Sequence, residues 1–235
     1  MARFLGFLGG VVSLALRRAA SQRTGGFDPL SLSPRLWLDG ADTATITSSG
    51  GLVSQWADKS TNGFHATQGT DANKPSTGVA TENGRNVVSF LTSAAKISFP
   101  RPTTASACTV FVVQRTVDTQ YLLLWDDPLI YSYVASSGSG SANTGGWGSP
   151  TYYKNGTLQS WATRDGVFTA LNNQAAAVAA KTVNFSAAAA TWHLGGYLSF
   201  EFTGTLCEII IYPTALSDAD RNAVDAYLRN KWGTP

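Results

Sequence analysis

The sequence FTGTLCEIIIY occupies residues 202–212, and its second half is apolar at odd and even positions alike. A second run of this kind, VFVVQ, occupies residues 110–114. A strand with one face in solvent alternates apolar and polar residues, whereas a strand buried on both faces shows a continuous apolar run. Both segments are therefore predicted to be central strands of a sheet.

The composition favours a folded, mostly β chain of one large domain. Of its 235 residues 43% are hydrophobic, which excludes an intrinsically disordered chain. Only three glutamates, Glu82, Glu201 and Glu208, stand beside 7 Trp, 8 Tyr and 11 Phe. Glu favours helices, while aromatic residues are enriched in strands. The net charge of +2 is too small to indicate a nucleic-acid partner.

From residue 36 onward, short apolar runs are separated by turn residues, as in an antiparallel sandwich or barrel. Asn-Gly pairs suit turns that need a positive φ, and they occur at 62–63, 83–84 and 155–156. Asp-Gly at 165–166 lies between two runs rich in Thr and aromatic residues. It predicts a hairpin whose second strand covers Gly166–Leu171.

One helix is predicted, over Asp218–Trp232 near the C-terminus. Ser217 can cap its first turn, and Gly233 is typical of the residue that ends a helix. Helical spacing places one apolar face against the sheet, formed by Ala223, Val224, Tyr227, Leu228 and Trp232.

The N-terminal segment 1–23 is predicted to be an anchoring arm, followed by a linker over 24–35 and the domain over 36–235. The apolar run Phe4–Leu16 is too short for a membrane-spanning helix, which needs about 20 residues. A signal peptide and a helix packed on the domain itself are the alternatives. Since the run is apolar nearly all round, we expect it to bind a partner protein or a copy of this chain. The arm residues are Phe4, Leu5, Phe7, Leu8, Val11 and Val12.

Several short motifs occur in a characteristic order over residues 36–233. They are LWLD at 36–39, VSQWADKS at 53–60, NG at 62–63, HATQ at 65–68, NKP at 73–75, NGR at 83–85, VVSF at 87–90, TVFVV at 109–113, FTGTLCEIIIY at 202–212 and ALSDADR at 215–221. This order resembles the concanavalin A-like lectin/glucanase superfamily in its laminin-G-like form. The resemblance implies an all-β, two-sheet antiparallel jelly-roll sandwich, here with the apolar arm before it and one C-terminal helix.

Glycoside hydrolysis needs two carboxylates across one cleft. The glucanase branch of the superfamily carries them as Glu-x-Asp-x-Glu on one strand, and this sequence has no such motif. A Gly-x-Ser-x-Gly elbow is also missing, and the only histidines are His65 and His193. The chain is therefore predicted not to be an enzyme. Strand parity places Glu208 on the face of Leu206, Ile210 and Tyr212. It is expected to be either a cleft carboxylate or, the favoured hypothesis, a half-buried acid paired with a cation such as Arg115.

Aromatic and amide side chains cluster in sequence after residue 142, which is typical of a saccharide site. The alternatives are a loop tip folded onto the sheet and a contact with a neighbouring subunit. The candidate ligand-binding residues are Trp147, Tyr152, Tyr153, Trp161, Asn143 and Asn155.

Asp126 and Asp127 are weak calcium candidates, because Ca²⁺ prefers oxygen ligands. The alternative is that they stabilise a turn before Pro128. No other cofactor or metal is expected. Cys108 and Cys207 lie in apolar runs, so free buried thiols are favoured over one disulfide.

The resemblance leads to the expectation of a non-catalytic binding or structural module in a bacteriophage virion, as a capsid decoration, head-fibre or tail component. The arm would attach it to other virion proteins or to copies of itself, and the domain would bind host glycans. The alternatives are a lectin-like carbohydrate-binding domain of a secreted or surface bacterial protein, and a glycoside hydrolase. The expected location is the virion, or else the cell exterior.

Overall fold

The computed structural model describes residues 26–92, 94–117, 121–127, 130–135, 148–186, 190–195 and 202–235, with the backbone alone over 121–127 and 130–135. Fifteen strands and two α-helices lie in these residues. The helices are α1 (Arg164–Leu171) and α2 (Asp218–Trp232). The strands are β1 (Leu36–Asp39), β2 (Ile46–Ser49), β3 (Leu52–Trp56), β4 (Ala66–Thr67), β5 (Ser76–Glu82), β6 (Arg85–Phe90), β7 (Lys96–Pro100), β8 (Cys108–Thr116), β9 (Tyr121–Asp127), β10 (Ile130–Ala135), β11 (Thr151–Lys154), β12 (Thr157–Gln159), β13 (Ala176–Val183), β14 (Thr191–Gly195) and β15 (Gly204–Tyr212).

The strands pair antiparallel in one large sheet, in the order β10-β9-β14-β7-β4-β3-β5-β6-β15-β8-β13-β11-β12. Strand β1 pairs with β15, and β2 pairs with β3. The sheet folds over on itself as a sandwich, because one core cluster takes side chains from both halves. Val112 of β8 and Ile209 of β15 share it with Trp56 and Trp192 from the other half.

The prediction for the two apolar runs is confirmed. Strands β8 and β15 are neighbours near the middle of the sheet order, and all nine residues of β15 are buried. One face of the pair supplies the sandwich core, and the other lies under α2. Continuous apolar sequence is the pattern that two buried faces require.

Helix α2 has the predicted bounds. The Ser217 hydroxyl accepts a hydrogen bond from Asp220 N at 3.1 Å, and Gly233 ends the helix with a φ of 66°. Val224 and Leu228 are fully buried against the outer face of the sheet. The helix therefore forms a third layer over β8 and β15.

The segment 165–166 begins a helix and not a hairpin, so the strand predicted over Gly166–Leu171 is wrong. The segment belongs to α1. Val167 and Leu171 are four residues apart, which puts both on one helical face, and they pack against Val178 of β13. Burial of this face outweighs the local turn signal.

Two of the three Asn-Gly pairs have the left-handed backbone that they predict. The pairs 83–84 and 155–156 have φ between 48° and 82° and connect adjacent antiparallel strands. In the pair 62–63 only Gly63 is left-handed, at 79°. The other positive φ in this turn belongs to Thr61, at 68°. A β-branched residue in this conformation is uncommon and strained.

Residues 26–35, predicted as part of a linker, pack on the domain. A 3-10 helix covers Pro29–Leu32, and the Tyr212 hydroxyl donates to the Pro29 carbonyl at 3.2 Å. The ring of Phe27 lies 6.0 Å from that of Tyr227 on α2. The arm residues Phe4, Leu5, Phe7, Leu8, Val11 and Val12 lie outside the described residues, so their role as a partner anchor stays a prediction.

Cys108 and Cys207 are free and buried, as favoured from the sequence. Burial raises the pKa of the Cys108 thiol to about 12 and raises that of Cys207 as well. In the part of the chain that the structure describes, neither helix is long and apolar enough to span a membrane.

Candidate functional site

The terminal hairpin β11–β12 carries two of the candidate ligand-binding residues into contact. Tyr152 of β11 and Trp161, two residues beyond the end of β12, have ring centroids 5.6 Å apart with planes tilted by 41°. Tyr152 packs against the sandwich core, and Trp161 packs against the cluster under α1. Both rings are half-buried, so one part of each is held by the fold while another part reaches solvent.

Strand alternation separates the neighbouring tyrosine from this pair. Tyr153 lies on the opposite face, under α2, where the Arg221 guanidinium stacks 3.6 Å from its ring centroid. Successive strand residues point to opposite faces, so both tyrosines cannot serve one surface.

Asn155 takes a role in the hairpin turn. Its side-chain oxygen accepts a hydrogen bond from Ala177 N at 2.9 Å, and its backbone N donates to the Ala177 carbonyl at 2.8 Å. Trp147 and Asn143 lie outside the described residues. Of the six residues predicted from sequence, the structure therefore brings together Tyr152 and Trp161.

Polar groups flank the aromatic pair on the same face of the hairpin. Gln159 is directly opposite Tyr152 in the strand register, and Lys154 follows Tyr152 by two residues. The Lys154 ammonium donates to the Ala170 carbonyl at 2.6 Å and to the Gln174 amide oxygen at 3.1 Å, which fixes its position. Burial raises the pKa of Tyr152 to about 12, so its hydroxyl stays protonated at neutral pH.

A different polar centre surrounds Glu208 between the sheet and α2. A register shift between Leu206 and Glu208 breaks the strand alternation. Leu206 consequently lies in the sandwich core, while Ile210 and Tyr212 lie under α2. Glu208 shares the α2 side with Ile210 and Tyr212, as predicted. The prediction that it also shares a face with Leu206 is wrong, because the bulge rotates the strand between them.

The Glu208 carboxylate is fully buried and accepts four hydrogen bonds. One oxygen accepts from the Trp37 indole at 2.7 Å and from the Tyr227 hydroxyl at 2.9 Å. The other accepts from the Lys231 ammonium at 2.6 Å and from the Trp232 indole at 2.7 Å. Burial and the neighbouring Asp39 carboxylate raise the pKa of Glu208 above its usual value.

Lys231 joins Glu208 to a second buried carboxylate. Its ammonium donates to Asp39 at 2.6 Å, and Lys59 donates to the other Asp39 oxygen at 2.9 Å. Burial alone would raise the pKa of Asp39, but Lys231 and Lys59 lower it below its usual value. The arrangement is a buried ion-pair network that ties α2 to β1 and β15.

The cation expected beside Glu208 lies elsewhere. Arg115 forms a two-pronged ion pair with Glu82, and its second contact measures 3.1 Å. Lys231 replaces it because α2 brings that residue over β15. The carboxylates of Asp39, Glu82 and Glu208 are thus each held by a cation, which suits them to structural pairing.

Sequence reasoning missed the polar residues on the buried side of α2. Arg221 and Asp225 are 5% and 2% exposed, beside the hairpin that carries Tyr152. Their spacing of four residues, the same as that between Val224 and Leu228, was the signal that could have placed them on a buried face.

Asp126 and Asp127 lie within β9, opposite Tyr131 and Ile130 of β10. Among the described side chains, no group of three or more His, Cys, Asp or Glu could hold a metal ion. Calcium binding at Asp126 and Asp127 stays a prediction.

No protein-family model and no curated protein matches this chain. Among solved structures, the chain is similar to a Trypanosoma rangeli sialidase in complex with the inhibitor DANA, at a TM-score of 0.44 and 14% identity, over 81% of this chain and 32% of that one. It is also similar to a Trypanosoma rangeli sialidase in complex with sialic acid, at a TM-score of 0.43 and 10% identity, over 83% and 33%. The chain spans about a third of the length of the sialidase chains that it matches.

These comparisons contradict the predicted function. The solved structures named above are those of an enzyme, so the expectation of a non-catalytic phage virion module and the prediction that the chain is not an enzyme are both corrected. The comparisons give no better support to the lectin alternative, and they do not confirm the concanavalin A-like superfamily. The antiparallel β-sandwich with one C-terminal helix is the part of the fold prediction that the structure supports.

Proposed function

We propose that this chain recognises a saccharide at the Tyr152–Trp161 pair. The observation that carries the proposal is the contact of two half-buried rings, 5.6 Å apart and tilted by 41°, beside the last strand in the sheet order. A partly exposed ring fixed by packing offers a rigid apolar surface to the C–H face of a sugar at little conformational cost.

The surrounding groups fit the hydroxyls of a sugar. Saccharide sites combine aromatic surface with a few convergent polar groups. Gln159 and Lys154 project on the same face as Tyr152, and the hydrogen bonds of Lys154 to α1 and to Gln174 hold its ammonium in place. We also propose that the antiparallel sandwich is a jelly roll of the laminin-G-like form.

Titration of the full chain with a saccharide panel, followed by NMR chemical shifts, tests the proposal. The panel includes neutral oligosaccharides and sialyllactose, and release of free sugar is measured in the same samples. We expect saturable shifts in β11 and in the residues around Trp161. Trp161→Ala should weaken binding by about tenfold or more, as for other aromatic anchors.

The matched control is Leu158→Ala. Leu158 lies on the same hairpin, is 63% exposed and is paired with Tyr153, so it faces away from the ring pair. This variant should bind like the wild type. The dispersion of the amide spectrum of Trp161→Ala checks that its loss of binding is not caused by unfolding. Equal affinity of the wild type and Trp161→Ala, or no saturable shift with any saccharide, would refute the proposal.

A further inference from the structure

A pocket of about 530 Å³ lies between the N-terminal 3-10 helix and the turn after β3, away from the ring pair. Its volume is within the range of small-molecule sites, about 300–1,000 Å³. It contains both polar and apolar side chains, and the residues used below are Ser33, Pro34, Arg35, Ser60, Thr61 and Asn62.

Arg35 is the single charged residue in the lining of this pocket. Its Nε donates to the Pro102 carbonyl at 3.1 Å, and its Nη1 donates to the Asn62 side-chain oxygen at 3.0 Å. The guanidinium also lies over the Phe64 ring, 5.2 Å from the centroid. These contacts fix the plane of the guanidinium. Among the described residues, Nη2 has no hydrogen-bond acceptor and no carboxylate lies within ion-pair distance of Arg35.

The carboxylate in this turn, Asp58, is buried and does not lie in the lining of the pocket. It accepts hydrogen bonds from Trp37 N at 2.9 Å, Ser60 N at 2.8 Å, the Ser60 hydroxyl at 2.7 Å and Phe64 N at 3.1 Å. Backbone and hydroxyl donors therefore satisfy this charge, and among the described residues Arg35 has no carboxylate partner.

The walls of the pocket are rigid and carry hydroxyls. The Asn62 amide donates to the Pro34 carbonyl at 3.0 Å, which ties the turn to the N-terminal segment. Ser33 and Thr61 are exposed and have left-handed backbone, with φ of 54° and 68°. Strained residues of this kind persist where the surrounding contacts over-determine them, and they cluster at ligand-binding sites.

We infer that this pocket binds an oxyanion, a carboxylate, sulfate or phosphate group, with the Arg35 guanidinium as the principal donor. Nη2 of this fixed guanidinium, which has no acceptor among the described residues, can donate to an oxygen of such a group, and a charge-assisted hydrogen bond is shorter and stronger than one from a neutral donor. Ser33 and Thr61 supply further hydroxyl donors in the lining of the same pocket. The site is separate from the proposed saccharide surface.

NMR titration of the full chain with sodium sulfate, sodium phosphate and sodium acetate, each at constant ionic strength, tests the inference. The three arms distinguish the sources of the oxyanion. We expect saturable shifts of the Arg35 Nε–H and of the amides of residues 60–62 in at least one arm, with none elsewhere of equal size. Arg35→Gln should weaken the binding by about tenfold or more, because a charge-assisted contact is lost.

The matched control is Arg85→Gln. Arg85 is exposed, and its Nε donates to the Lys231 carbonyl at 2.8 Å, as Arg35 does to Pro102. This variant should bind the anion like the wild type. The shifts in the wild type keep the test decisive even if Arg35→Gln does not fold. The inference is overturned if no anion gives saturable shifts at residues 60–62, if folded Arg35→Gln binds like the wild type, or if Arg85→Gln loses binding equally.

Discussion

Replacing Lys231 by methionine removes the cation shared by two buried carboxylates while it keeps most of the apolar stem. The Lys231 side chain is 13% exposed, Asp39 is 5% exposed and Glu208 is fully buried. Removing one partner of a buried ion pair costs about 3–5 kcal/mol, because an unpaired buried charge remains. For a chain of this size each kcal/mol lowers Tm by about 2–4 °C, so Lys231→Met should lower it by roughly 6–20 °C.

Denaturant unfolding at several pH values measures the effect. Lys231 lowers the pKa of Asp39, so this contribution to stability is present above pH about 4 and is lost as the pH falls through the lowered pKa. The gap between the wild type and Lys231→Met should therefore be wide at pH 7 and narrow toward pH 3. Lys181→Met, which breaks the exposed pair with Asp218, is the control and should cost far less stability, because solvent screens an exposed pair. The reasoning fails if both variants lose the same stability at pH 7, or if the gap does not narrow in acid.

Three further outcomes follow from burial and backbone geometry. Burial raises the pKa of Asp225, so the wild type loses stability as the pH rises from the ordinary pKa of this carboxyl to the raised one. Urea unfolding from pH 4 to pH 8 should therefore show Asp225→Asn gaining stability relative to the wild type, and a constant difference would contradict this. Gly195→Ala combines a φ of +96° with a clash between the new Cβ and the Ala95 carbonyl, whereas at Gly63 the φ is +79° and nothing lies within 4 Å. The Tm of Gly195→Ala should therefore fall further than that of Gly63→Ala, where strain alone costs about 1–3 kcal/mol. Cys108 and Cys207 should react with a thiol reagent only after unfolding, as colour release can measure, and fast labelling of the folded chain would show that they are accessible.

The strands and the helix that depend on local pattern could be predicted from the sequence. Continuous apolar residues identified β8 and β15, and the cap at Ser217 with Gly233 gave both ends of α2. These signals agree with the tertiary environment, since the sheet and the helix bury the faces that the patterns mark. The helix α1 was missed because packing of its apolar face against β13 determines its conformation. The local Asp-Gly pair carries no information on that tertiary contact.

The candidate sites were only partly predictable. The separation of Tyr152 from Tyr153 follows from alternation along β11, so it could have been predicted from the sequence. Two other features could not. The bulge after Leu206 places Glu208 on the α2 side of the sheet, and no residue in the strand predicts a bulge at that position. In the turn at 60–63 the left-handed backbone occurs at Thr61 and not at Asn62. The hydrogen bonds of the buried Asp58 carboxylate determine this turn, and Asp58 lies outside the Asn-Gly pair.

The Lys231–Asp39 contact joins residues 192 positions apart, and the Trp37 indole reaches Glu208 across 171 positions. During synthesis, the strand that carries Glu208 leaves the ribosome before the end of α2, so its carboxylate has neither the ammonium nor the second indole available. Contacts of such long sequence separation slow folding. We expect the sandwich to complete its folding only once the last turn of α2 has left the ribosome, with that turn as the closing step.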